Sequence, residues 1–330
     1  MAFLTLVASA FFLHRSFNAQ NNSLAVIDQQ IPSTVENRNP LTGAKLAAPL
    51  VELPQVFAVM VENSYEAWPL SGLDQAFLVI EAPVEGNIPR FISFFEQGTD
   101  VKKIGPVRSA RPYYLDWADE LGAIYAHVGG SPEALDLIKA NGTTKDLNQF
   151  FQSEYFWRDE VNRFAPHNVY TSGALLDDAV KEVGKTVKII DPWQFKDGVP
   201  SGERLSPKIN WASGSVYDVI WEYATDKNLY IRMSGWSDVK TSSGSTIEAN
   251  NVAVIASDIT VVDATGRRHI RTVGQGDAIV YENGTKIVGT WKKPTRTDRL
   301  KFFDQAGKEI VMNAGKTWIE VVPDITAVTE

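Results

Sequence analysis

The stretch KKIGPVRSARPYYLDWADE places Lys102, Lys103, Arg108 and Arg111 close together, with Pro106 and Pro112 fixing the backbone around them. Guanidinium forks match the geometry of planar carboxylates and tetrahedral phosphates. Arg108 and Arg111, with Ser109 between them and Arg90 upstream, are therefore candidate ligands for a phosphate, a carboxylate or a uronic-type acid. A helix starting near Arg111 would add its positive N-terminal end. The competing reading is an internal ion-pair network with Glu81, Glu85 or Asp116.

Glu81 and Glu85 stand four apart in EAPVEG, and paired carboxylates suit acid/base work in glycosidic cleavage. Ala82-Pro83 between them leaves their common direction open, and each has arginines nearby to neutralise it. In AHVGGSPEA, His127, Gly129, Gly130 and Ser131 fall between a strand-like and a helix-like segment. Ligands often sit at such turns, where glycines admit close backbone approach and the next helix offers free N–H groups. No Gly-Lys-Ser/Thr follows, so this is not a P-loop, and Pro132 after Ser131 rules out a nucleophile elbow. Ser131 is in any case a natural helix N-cap. RFAPHNVYT adds His167 and Asn168 as a general base or polar clamp. The spacing of His127 and His167 is not diagnostic of a metal site, and neither metal nor cofactor is expected.

These residues need elements to hold them. VFAVMV, DQAFLVIEAPVEG and PRFISFFEQ read as strands, and SARPYYLDWADELG as a short helix with Ser109 as candidate N-cap and Gly122 as its stop. AIYAHV returns as a strand, SPEALDLIKANG as a capped helix, HNVYTS as a strand and GALLDDAVKEVG as a helix. That alternation predicts an α/β (or α+β) domain over 54–190. The Pro- and Gly-punctuated 191–207 reads as a linker, and the β-type runs of 208–324, with a hairpin at Glu282-Asn283-Gly284, as a predominantly β domain.

The whole chain carries a net charge of −8 with 44% hydrophobic residues, so it is a globular protein lacking the basic field a nucleic-acid binder needs. It has no cysteine, which excludes disulfides, thiolate metal sites and a lipidated cysteine on this chain. AFLTLVASAFFL is apolar apart from Thr5 and Ser9, too short for the usual span of about 20 residues but suited to a signal or anchor over 1–20. With no clear A-x-A cleavage site, an uncleaved anchor is the expectation. The Asn-, Gln- and Ser-rich 21–53 then reads as a tether.

PVRSARPYYLDWADE, YAHVGGSPEAL, RFAPHNVYT, NNVAVI, GTWKK and GKTWIEVVP, in that order over about 54–324, resemble the YerB-like lipoproteins, a bacterial family of unknown function. The resemblance implies an extracytoplasmic, membrane-attached protein of two domains, and it supplies no mechanism. The lipoprotein pattern's N-terminal cysteine is missing, which points to the hydrophobic segment as the anchor instead. The combined expectation is an envelope protein on the outer side of the cell membrane, binding an anionic glycan or peptide in a cleft of the α/β domain. Arg108 and Arg111 would hold the anion, the Gly129–Ser131 turn would add donors, and His127, His167 and Asn168 would add polar contacts. Two alternatives stand beside it: an envelope polysaccharide-cleaving enzyme using Glu81 or Glu85 with His127, and a scaffold that contacts another envelope protein through the β domain.

Overall fold

Alternation within the apolar runs sets the architecture. In β1 (Val56–Val61), Val56, Ala58 and Met60 pack into one core while Phe57, Val59 and Val61 pack into another. A strand has a period of two, so these are its two faces, and a fully apolar strand is one covered on both sides. The computed structural model describes residues 36–330 apart from 187, 212–215 and 235–236. The proposed anchor over 1–20 and residues 21–35 of the proposed tether lie outside the described residues. No helix among the described residues is long and apolar enough to cross a membrane.

β2 (Leu78–Pro83) and β3 (Pro89–Glu96) form an antiparallel hairpin, and β1 lies antiparallel to β3. β4 (Ile124–His127) and β5 (Lys145–Asn148) continue the sheet in parallel from β1. Between these strands run α1 (Pro112–Glu120), α2 (Pro132–Asn141) and, after β5, α3 (Gly173–Val183). α2 has the expected caps: Ser131 Oγ accepts the Ala134 N–H at 3.3 Å, and Gly142 closes the helix in the left-handed region at φ 60°.

α1 differs from expectation. It starts at Pro112, and Ser109 is not its N-cap. Residues 107–111 are held extended instead, because Arg108 N–H bonds Met60 O at 2.9 Å and Ala110 N–H bonds Gly129 O at 2.9 Å. Pro112 then opens the helix at the one position where a missing N–H costs nothing.

The C-terminal region is mostly strand. β6 (Val219–Ala224) and β7 (Leu229–Ser234) anchor a smaller sheet. β8 (Asn251–Ala256), β9 (Gly274–Glu282), β10 (Thr285–Lys293), β11 (Lys301–Asp304) and β12 (Thr317–Val322) enter the main sheet. The predicted hairpin joins β9 to β10, with Asn283 at φ 57° and Gly284 at φ 77°, the paired positive values a type I′ turn demands.

The main sheet runs β11-β10-β9-β8-β12-β2-β3-β1-β4-β5. Its central seam is the parallel pairing of β12 with β2, Leu78 opposite Thr317 through Glu81 opposite Glu320. Strands from before and after 191–207 thus share one sheet, and 191–207 itself is stitched in by buried Trp193 and by Phe195–Lys196 pairing with Met312–Asn313. α1 and α2 contribute to the core on one face, α3 and the smaller sheet to the core on the other. The folded body also begins earlier than position 54. Arg38 bridges to Lys45, Asn39 Nδ2 reaches Glu96 at 3.1 Å, and Leu41 is buried in the core.

Because β2 depends on β12 for one of its edges, a fragment ending at 190 exposes the edge of a strand that is buried along its whole length in the intact protein, and uncovers the buried carboxylate of Glu81. We expect residues 36–190 expressed alone to aggregate or stay unfolded, while 36–330 gives a monodisperse, cooperatively unfolding protein. Circular dichroism and size-exclusion chromatography check this, and a soluble, cooperatively folded fragment would refute it.

Candidate functional site

The segment 107–111, pinned between β1 and the turn after β4, aims its arginines at the end of β3. There they meet an open cleft of about 230 Å³ lined by Glu62, Ser64, Glu85, Arg90, Arg108 and His167, among others. Glu62, just past β1, is shared: Arg108 Nε lies 3.2 Å from one of its oxygens and His167 Nδ1 2.9 Å from the other. Glu85 is taken by Arg111, whose Nε and Nη2 both lie 2.8 Å from Oε1.

Arg90 is the exception. It is 7% exposed and no carboxylate lies within ion-pair distance of it among the described residues. Its only hydrogen-bond partner among them is the Ser109 carbonyl, which accepts from Nη1 at 3.0 Å. Burial, then the like charges of Arg111 and Arg108, push its pKa below the usual arginine value. An arginine is charged at any physiological pH, so this is a cation held in an unfavourable place. Glu62 and Glu85 are thus each paired with a cation, Glu66 lines the same cleft as an exposed acid with no ion pair among the described residues, and Arg90 is a buried cation without a carboxylate partner.

Glu81 belongs elsewhere. It is fully buried on the opposite face of β2, where Arg232 Nη2 donates to both its oxygens at 3.0 Å and Trp318 Nε1 to Oε2 at 3.1 Å. Glu320, opposite it across the seam, accepts from Trp221 Nε1 at 2.8 Å, and its Oε2 receives no hydrogen bond. Burial raises both carboxyls, and Glu320 goes well above the ordinary value because its next largest influence is the charge of Glu81. The arrangement is satisfied when Glu320 carries a proton and donates it to an ionised Glu81 that neutralises Arg232.

The expected convergence therefore holds only in part. Arg90, Arg108, His167 and Glu85 share the cleft, with Arg111 behind Glu85 and Ser109 supplying only its carbonyl. His127 does not join them. It is fully buried, with Nδ1 2.7 Å from Gly129 O and Nε2 2.6 Å from Asp146, so it clamps the turn. Nor is the Gly129–Ser131 turn a free donor set: Gly129 N–H is bound by Asn148 Oδ1 and Ser131 N–H by Ala110 O. Gly130 packs against Ala110, and Asn168 accepts from Arg158 Nη1 at 2.9 Å. Glu81, Glu85 and His127 have three separate sets of partners and do not flank one substrate position.

Sequence reasoning missed Glu62, Asn63, Arg232 and Glu320. The WIEVV run around Glu320 did carry a signal, a lone acid amid apolar residues of a buried strand.

A carboxyl raised by folding contributes stability below its unfolded value that is lost as pH climbs toward its folded value, at up to about 1.4 kcal/mol per pH unit. For Glu320 that loss begins at the ordinary value of 4.5 and continues upward. Glu320→Gln keeps a donor toward Glu81 and removes the titration. We expect urea unfolding to show the wild type losing stability over that range and the variant losing less. Equal pH slopes for the two proteins would contradict the shared proton.

With the geometry in hand, comparison with known proteins is informative. Residues 41–186 match the N-terminal domain, and residues 208–319 the C-terminal domain, of a family described as a protein of unknown function, DUF3048. The chain is 32% identical over 305 residues to the "Putative lipoprotein YerB" of Bacillus subtilis, covering 90% of each. Its fold is similar to the crystal structure of the YerB protein from Bacillus subtilis, with a TM-score of 0.79 and 30% identity over 88% of this chain and 98% of that one. The mixed helix–strand first region and the mostly stranded second region correspond to those two domains, and the chain belongs to the DUF3048 family of YerB-like proteins.

Proposed function

We propose that this protein works at the outer face of the cell membrane and binds an anionic envelope glycan or peptide through the Arg90 cleft. The single observation that carries the binding is the buried, unpaired guanidinium of Arg90 lining an open cleft. A cation is buried without a counter-ion only at a cost, and a ligand carboxylate removes that cost through a charge-assisted hydrogen bond. Arg108 and His167 stand beside it, already oriented by Glu62, so the ligand meets a rigid wall. Rigid polar groups lose little entropy on binding.

The location rests on the name of the B. subtilis relative, a lipoprotein, together with the apolar run at 2–13 of this chain. The cleft holds glutamates as well as arginines, which favours a ligand carrying polar or cationic groups beside its acid over a simple polyanion. N-acetylmuramic acid and N-acetylmuramyl dipeptide carry a carboxylate on a polar frame and are suitable probes, with N-acetylglucosamine as the uncharged control.

Isothermal titration calorimetry tests the reading. We expect the two acids to bind and the control not to. Arg90→Lys should weaken binding about tenfold to a hundredfold, the scale of a hydrogen bond to a charged group. Arg108→Ala should weaken it less, because Arg108 also serves Glu62. Unchanged affinity in Arg90→Lys, in a protein of wild-type melting behaviour, would overturn the assignment.

A further inference from the structure

A second cavity, of about 340 Å³, lies on the face of the main sheet that carries α3 and the smaller sheet. Its walls include Trp68, Leu70, Leu73, Phe91, Val239 and Ile247, and its polar side chains are Asn63, Arg232, Ser234 and Lys240. A few polar groups in a largely apolar hollow of this size is the usual make-up of a small-ligand pocket.

Arg232 is the informative residue. It is 2% exposed and lies over the rings of Phe91 and Trp318, at 5.6 and 5.4 Å from their centroids. Only Nη2 is engaged, by both oxygens of Glu81. Nε has no hydrogen-bond partner, and none is found for Nη1 among the described residues. Nε is enclosed, so Nη1 is the donor that a ligand acceptor entering the cavity would meet, and pairing it relieves the cost of an unsatisfied donor on a buried side chain.

The charge around Arg232 decides what kind of acceptor fits. Glu81 already neutralises it, and the Glu320 carboxyl stands directly behind Glu81. A ligand carboxylate would bring a further negative charge, uncompensated at depth, next to two acids. A neutral carbonyl satisfies the same N–H without that penalty. The hollow is too small for an extended chain and roomy enough for one or two aliphatic residues.

We propose that this cavity is a binding pocket for an uncharged apolar group with an adjacent carbonyl, as presented by a hydrophobic residue within a peptide chain. Asn63 lines both this cavity and the Arg90 cleft, but the pocket rests on Arg232 and the apolar walls, independently of anion binding. The ligand's side chain fills the space among Trp68, Leu73 and Ile247, and its carbonyl turns toward Arg232.

The Trp68 indole N–H donates to Asn63 Oδ1 at 2.9 Å and reports on this wall. Two-dimensional NMR of the full chain, with that signal assigned through Trp68→Phe, follows titration with N-acetyl-L-leucinamide, N-acetyl-L-leucine and N-acetylglycinamide. The expected result is a saturable shift with N-acetyl-L-leucinamide, binding at least fivefold weaker for the free acid, and none for the glycine compound. Val239→Trp fills the cavity from its partly exposed rim and should weaken the leucinamide at least tenfold without lowering the melting temperature. Arg90→Lys should leave leucinamide binding unchanged, which separates this pocket from the anion cleft. Failure of the leucinamide to saturate, an equal or tighter grip on the free acid, or undiminished binding in a folded Val239→Trp would each overturn the proposal.

Discussion

The pairing of β2 with β12 is the constraint on which the molecule depends. It joins strands more than two hundred residues apart in sequence and puts Glu81 opposite Glu320 at the centre of a ten-stranded sheet. Two acids at that depth are tolerable only with a cation and a shared proton. Arg232 supplies the cation from the smaller sheet, and Trp318 and Trp221 each donate one indole N–H, to Glu81 and Glu320 respectively. Losing one partner of such a group costs roughly 3–5 kcal/mol, a large fraction of a typical stability. The network therefore fixes the smaller sheet on the main one, and by doing so forms the cavity at Arg232.

The Arg90 cleft follows from the same economy on the other face. Residues 107–111 stay extended because Pro112 disfavours a helix running through it and because the N–H groups of Val107, Arg108 and Ala110 are taken by Val169 O, Met60 O and, in the turn after β4, Gly129 O. His127, held between Asp146 and Gly129 O, keeps that turn in shape. The extended segment carries Arg108 and Arg111 to Glu62 and Glu85, and with both acids occupied Arg90 has none. The uncompensated charge of Arg90 is a consequence of how the neighbouring charges are matched.

Much of this was legible in the sequence. The apolar runs of β1 to β3, the Ser131 and Asn141-Gly142 caps of α2 and the Asn283-Gly284 turn are local signals, each with a local physical cause. The arginine stretch was read as a place where anion binding and internal ion pairs compete, and the structure shows the ion pairs of Arg108 with Glu62 and of Arg111 with Glu85. What stayed hidden was long-range. Nothing near Glu81 says that its partner is Arg232, because the pairing depends on β12 entering between β2 and β8. Likewise Arg90 looked like one basic residue among several until the matching of Glu62 with Arg108 and Glu85 with Arg111 left it alone. His127 was misplaced for the opposite reason: a polar residue at a strand end looks exposed in sequence and is here wholly enclosed.

The central claim is that Arg90, a buried cation with no carboxylate partner among the described residues, binds a ligand anion. Crystals of the protein soaked in selenate, with data collected at the selenium edge, test it most directly. The account predicts an anomalous peak in the cleft within hydrogen-bonding distance of Arg90 and Arg108, with Glu62 and Glu85 still held by their present partners. An empty cleft with Arg90 turned onto Glu85 would contradict it.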